Sequence, residues 1–192
     1  MMVAGAFYLP KENKKKPLGE DAHFICSEGH TIGVADGVGS WSSFGVDAGN
    51  YSRMLMSKAE ASARSQAGGG GGVNPMKAFN YPFQLGRYKE ADRPVVAARI
   101  KVDVRPGDVI VMATDGLFDN VKDDAVAELV GGGGGSPGKA AERLAKEALK
   151  IARSKDVETP FAVEARKAGR KISGGKYDDI TVIVAYIKAA AD

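Results

Sequence analysis

The chain has very little of what disulfide and zinc chemistry need. Its 192 residues include one cysteine, Cys26, and two histidines, His23 and His30. A lone cysteine excludes an internal disulfide, and one Cys with two His cannot close a zinc site of the usual four-ligand kind. Cys26 lies in the run His23-Phe24-Ile25-Cys26 and reads as a small core residue. No apolar run approaches the ~20 residues of a membrane helix, so no membrane span is expected. Charge of one sign is also lacking. The net charge is +3, and no arginine-rich stripe with interleaved aromatics is present, so nucleic acid is not expected as a partner. Lys14 and Lys15 read as part of a solvated loop. No targeting segment precedes the first strand pattern at Val3, so the first residues do not identify a compartment.

What is present is a globular composition, with 44% hydrophobic residues, at a length that suits one domain spanning 1–192. Two five-glycine runs, 68–72 and 131–135, read as flexible loops. Neither is a phosphate cradle, because Gly138-Lys139 is followed by Ala140 where a P-loop needs Ser or Thr. Short apolar runs predict strands over Val3–Tyr8, Ala22–Cys26, Thr31–Ala35, Asp108–Ala113 and Ile180–Ile187, with an alternating one over Val95–Val104. The strand over Ile180–Ile187 is apolar on both faces and is expected to lie between two layers. Helical spacing places Tyr51, Leu55, Ala59 and Ala63 on one face of a helix over Asp47–Gln66. Two more helices are expected over Asp123–Val130, with Asp123 as N-cap, and over Gly138–Ala152, with Leu144, Ala148, Ile151 and Ala152 on one face. This order of elements predicts an α+β fold.

The informative residues are carboxylates at the ends of apolar strands: Glu20-Asp21 before one, Asp36-Gly37 after the next, Asp115-Gly116 after a third, and Asp178-Asp179 before the last. One such Asp-Gly pair is read most simply as a turn. Four acidic strand ends in one small domain are harder to read that way, since carboxylates at a core boundary repel one another unless a cation lies between them. Hard cations such as Mg²⁺ and Mn²⁺ take oxygen ligands of this kind.

These segments resemble the protein phosphatase 2C family of metal-dependent serine/threonine phosphatases. The matching pieces are Gly-Glu-Asp-Ala-His at 19–23, Val-Ala-Asp-Gly-Val-Gly at 34–39, Pro-Gly-Asp-Val-Ile-Val-Met-Ala-Thr-Asp-Gly-Leu-Phe-Asp-Asn at 106–120 and Lys-Tyr-Asp-Asp-Ile-Thr-Val at 176–182. Trp41, Thr159-Pro160-Phe161 and Gly174-Gly175-Lys176 are similar to the branch with mitochondrial and plastid members, which points to chloroplast or mitochondrion. The resemblance implies a β-sandwich of two antiparallel sheets flanked by helices, in four α-β-β-α layers, and a monomer. It implies a protein serine/threonine phosphatase that uses two Mg²⁺ or Mn²⁺ ions and takes phosphoproteins as substrates. A water activated by the two ions would attack phosphorus in line. Asp36 would bridge both ions, the Gly37 carbonyl and Glu20 would serve one, Asp115 and Asp178 the other, and Asp21 would orient the attacking water. Of the Asp178-Asp179 doublet, the motif assigns the ligand to Asp178. Lys16 occupies the place of a phosphate-binding arginine. Asp119 and Asn120 are expected to set the following turn.

The chain departs from the family pattern in two places. Val38 stands where many members carry a histidine that protonates the leaving group. Between the first helix and Tyr81, the family's small-residue strand and Gly-Asp-Ser or Gly-Asp-Cys hairpin are missing. The sandwich is therefore expected to be incomplete, and the alternative function is a truncated, catalytically weak or inactive binding module.

Overall fold

The computed structural model describes residues 1–69, 72–77, 98–131 and 135–190. Its strands are β1 (Met2–Leu9), β2 (Ala22–Cys26), β3 (Thr31–Ala35), β4 (Val109–Ala113) and β5 (Ile180–Ile187). Its helices are α1 (Ala48–Ala67), α2 (Asp115–Phe118), α3 (Asp123–Gly131), α4 (Pro137–Ala152) and α5 (Pro160–Lys167), with a 3₁₀ segment over Gly39–Phe44. All strand pairs among the described residues are antiparallel. One sheet has the order β1-β5-β4 and the other pairs β2 with β3. The α+β expectation holds.

β5 is the central strand of the larger sheet and is buried from Ile180 to Ala185, as expected from its two apolar faces. Ile180, Val182 and Val184 pack with Leu117, Val121, Val126 and the α4 residues Ala140, Ala141, Leu144, Ala145 and Ala148. The small side chains of α4 let the helix lie close on β1 and β5. The second core is smaller. Ala22, Phe24 and Cys26 of β2 pack against Met56, Ala59 and Ala63 of α1.

Local signals explain most helix starts. The Asp47 carboxylate accepts from the backbone N–H groups of Gly49 and Asn50 at 3.0 and 3.3 Å, and Ser136 Oγ accepts from Lys139 N at 3.4 Å. Thr159 Oγ1 accepts from Ala162 N at 3.1 Å at the start of α5, with Pro160 in the first turn. Asp123 is not a cap. It is the first residue of α3, and the helix is entered through Lys122, whose carbonyl accepts from Val126 N. The buried face of α1 matches the expected one in its second half, where Ala59 and Ala63 are buried, and is turned from it in the first. Ser52 and Met56 are buried while Tyr51 and Leu55 are only half-buried, because Ser52 Oγ reaches across to donate to the Glu20 carbonyl.

The strand expected over Val95–Val104 is not formed in its described part. Residues 98–104 carry no strand, and Ile100 and Val102 are 86% and 72% exposed; residues 95–97 lie outside the described residues. The alternation in sequence has no paired strand to fold against here, and a lone strand is not stable in water. Among the described residues no helix is long and apolar enough to cross a membrane.

Candidate metal centre and its supporting residues

The four acidic strand ends meet where the two sheets approach each other. Turn geometry brings the 19–21 and 36–39 loops together. Gly37 lies so close to residue 20 that a Cβ there would meet the Glu20 carbonyl oxygen at 2.6 Å, and a Cβ on Gly39 would meet Glu20 Oε2 at 2.9 Å. Gly19 has φ +65°, a conformation that favours glycine. From the larger sheet, α2 abuts the start of β5, where a Cβ on Gly116 would meet the Asp179 carbonyl at 2.0 Å.

Asp21 joins the two halves. It is 3% exposed, and its Oδ2 accepts from Thr114 Oγ1 at 2.7 Å and from Thr181 Oγ1 at 2.8 Å. Thr114 Oγ1 accepts in turn from the backbone N–H of Thr181 at 3.1 Å. Asp21 Oδ1 is buried with no hydrogen-bond partner. Burial raises the Asp21 pKa to about 6. The two threonine hydroxyls oppose the rise, and the charges of Asp179 and Asp178 add to it.

Asp36 is pushed up to about 8. Desolvation is the first cause, followed by the charges of Asp21 and Asp115, a hydrogen bond with Asp115 and the charge of Asp178. Its side chain still reaches solvent, so the crowding of like charges is the cause the geometry supports most directly. Asp36, Asp21, Asp115 and Asp178 therefore feel one another, and they come from four segments remote in sequence.

Lysines supply countercharge. Lys176 Nζ hydrogen-bonds Asp115 Oδ2, lies 2.8 Å from Asp119 Oδ2 and is 3.5 Å from Asp178 Oδ2. Burial works to lower the Lys176 pKa, but the hydrogen bonds and charges of Asp115 and Asp119 outweigh it and the net shift is upward. Lys16 Nζ is paired with Glu20 Oε1 at 2.7 Å, and Lys11 Nζ lies 3.7 Å from Asp178 Oδ1.

Two residues that the motif reading passed over hold this arrangement. Asp179 is 6% exposed. Its Oδ1 accepts from Lys11 N at 2.7 Å and Tyr8 OH at 3.2 Å, and its Oδ2 from Glu20 N at 3.1 Å. It thus fixes the loop that carries Glu20. Burial first, then the Asp179 charge, raises the Tyr8 pKa. Asn120, expected only to set a turn, clamps the loop before β5. Its Nδ2 donates to the carbonyls of Gly116 and Lys176, each at 2.9 Å, and its Oδ1 accepts from Lys176 N at 2.9 Å. The Asp-Asp doublet was the available signal for Asp179; Asn120 and Lys176 fall inside the matching segments, but nothing in those segments shows that the two residues bond to each other. His23 is half-buried, and burial lowers its pKa.

Among the described residues, no three or more His, Cys, Asp or Glu side chains stand ready as they are to hold a metal ion. Lys176 takes up Asp115, and Lys16 takes up Glu20. The donor chemistry nonetheless fits a hard dication. The converging groups are all oxygens, their mutual repulsion calls for positive charge, and a buried carboxylate oxygen of Asp21 is unpartnered.

No protein-family model matches the chain. It is 34% identical to "Probable protein phosphatase 2C 55" of Arabidopsis thaliana, over all of this chain and 53% of that protein. It is 32% identical to "Putative protein phosphatase 2C 24" of Oryza sativa subsp. japonica, over 97% of this chain and 76% of that protein. The chain spans between half and three fifths of the length of the first two curated relatives it matches. The Arabidopsis alignment runs over 246 residues against 192 here, so that relative carries interior residues with no counterpart in this chain. The X-ray structure of the photosystem II phosphatase PBCP superposes with a TM-score of 0.87 at 23% identity, covering 99% of this chain and all of that one, which shows a shared fold. With its acidic strand ends assembled as described and these relatives beside it, the chain belongs to the protein phosphatase 2C family.

Proposed function

We propose that the protein hydrolyses phosphoserine and phosphothreonine in proteins with the help of two Mg²⁺ or Mn²⁺ ions. The observation that carries the reading is the meeting of Asp36, Asp21, Asp115 and Asp178 from four distant segments, in a chain of this family. When bound, the ions would neutralise phosphoryl oxygens and make water nucleophilic at neutral pH. Asp36 would be shared between them, with Glu20 and the Gly37 carbonyl on one side and Asp115 and Asp178 on the other. Asp21, fixed by Thr114 and Thr181, would keep Oδ1 as a rigid acceptor that orients the nucleophile. Lys16 would meet the substrate phosphate after leaving Glu20; a lysine supplies charge there but no bidentate fork. Val38 has no ionisable proton to donate, so the leaving-group proton would come from water. The two sheets would be the remaining part of a four-layer α-β-β-α sandwich. A monomer is proposed.

The test is hydrolysis of a phosphothreonine peptide that requires Mn²⁺ or Mg²⁺. Absence of turnover in a folded, metal-replete sample would falsify the reading. A second reading, a binding module that holds phosphoproteins without turnover, is favoured by the missing interior residues and by exposed Ile100 and Val102. Calorimetric Mn²⁺ binding without hydrolysis would distinguish it.

A further inference from the structure

We infer that Lys176 is a tethered cation that competes with a divalent ion for the Asp115 and Asp178 carboxylates, and so weakens metal binding on that side of the centre. The inference rests on the metal-centre reading above.

Three observations carry it. The first is placement. The Lys176 ammonium contacts Asp115 Oδ2 directly and lies within 3.5 Å of Asp178 Oδ2, the two acids proposed to hold the same ion. The second is that this position is imposed. Buried Asn120 grips the Lys176 backbone at both its N–H and its carbonyl, each at 2.9 Å. Asp119 holds the ammonium from the other side at 2.8 Å. A surface lysine would lose side-chain entropy in such a fixed geometry with little return; this one is backed by a buried clamp and by three acids. The third is charge. The charges of Asp115 and Asp178 both bear on Asp36, and the Lys176 ammonium is hydrogen-bonded to Asp115 and to the neighbouring Asp119. A dication entering between Asp115 and Asp178 must therefore displace the ammonium, and its affinity is reduced by whatever the lysine contacts contribute. The same contacts hold the acidic loops together while no metal is bound. Asp119 would retain the ammonium after displacement, so the switch needs only a short movement of the lysine stem.

Two measurements test this. In Lys176→Met, Mn²⁺ binding followed by calorimetry should tighten about tenfold or more relative to the unmodified chain, while melting without metal falls; Lys176→Arg, which keeps the charge, should bind Mn²⁺ much as the unmodified chain does. A purely structural lysine would lower the melting temperature without tightening Mn²⁺ binding. In the unmodified chain, the Lys176 amine should become several-fold more reactive toward an acylating reagent when Mn²⁺ is added, read by peptide mass spectrometry. This second arm holds even if the methionine variant does not fold. Equal or weaker Mn²⁺ binding in Lys176→Met, or reactivity unchanged while the chain binds Mn²⁺, overturns the competition and leaves the phosphatase reading standing. If the folded chain binds no Mn²⁺ with or without the substitution, both fall.

Discussion

The two halves of the molecule are built unequally. The half containing β1, β5 and β4 has a central strand buried on both faces and a long alanine-rich helix against it. The half containing β2, β3 and α1 has one small cluster around Phe24 and Met56. The candidate site takes residues from both. Asp115, Asp178 and Lys176 come from the larger half, and Glu20, Asp21 and Asp36 from the smaller one. What binds the halves at this point is largely polar: the Asp21 carboxylate on Thr114 and Thr181, and the Asp179 carboxylate on the backbone of Glu20 and Lys11. The difference teaches that the weaker half is positioned by the site as much as the site is positioned by the halves.

The comparison can be broken most forcefully at Asp36. Asp36→Asn should lower metal-dependent turnover by about a thousandfold, ~4 kcal/mol of barrier, without lowering metal-free stability, because it replaces a carboxyl whose ionisation the neighbouring acids oppose. A peptide-hydrolysis assay and a melting curve on one sample check both parts. Next come the cores. Leu144→Ala in the larger core and Met56→Ala in the smaller should each cost about 2–5 kcal/mol. If the polar link couples the halves, each variant unfolds in one transition. An early separate transition for Met56→Ala, with β1 and β5 amides still protected from hydrogen exchange, would show that the halves melt independently. A smaller effect is expected from Thr181→Val, which removes one donor to Asp21 and should cost about 1–3 kcal/mol in urea unfolding.

The mildest test is pH. Asp21 and Asp36 titrate in the fold at about 6 and about 8, above the 3.8 of an ordinary aspartate. A raised carboxyl pKa means that the folded chain binds more protons than the unfolded chain between these values. The stability it contributes is full below about 4 and is lost as pH rises through 6 and 8. The melting temperature of metal-stripped protein should therefore fall from pH 5 to pH 8, and Asp36→Asn should flatten the upper part of that fall. A melting temperature that rises across this range would contradict the crowding of acids.

Much of this was readable in the residues. The limits of β2, β3 and β5 followed from short apolar runs bounded by turn residues, and the four acidic segments announced a shared purpose through their motifs. What could not be read was long-range polar support. The partners of Asp179, Tyr8 and Glu20, lie far back along the chain, and Asn120 bonds a residue 56 positions away. Periodicity carries no information about such pairs. α5 was missed although Thr159-Pro160 is a cap followed by a first-turn proline, because its eight residues contain only Ala162 and Ala165 as fully buried positions. The alternation at 95–104 misled in its described part because patterning specifies a strand only where a partner strand exists. Ile100 and Val102 have none among the described residues.

β1 pairs along its whole length with β5, from Met2 opposite Ile187 to Leu9 opposite Ile180. β1 thus leaves the ribosome well before the strand it pairs with. During synthesis the larger sheet cannot close until residues 180–187 emerge, and loop closure over such a separation is slow. Ribosome-bound chains stalled before residue 180 should remain open to protease throughout β1. A circular permutant that splices the β5 end onto the β1 start would turn that distant pairing into a local hairpin and should fold faster.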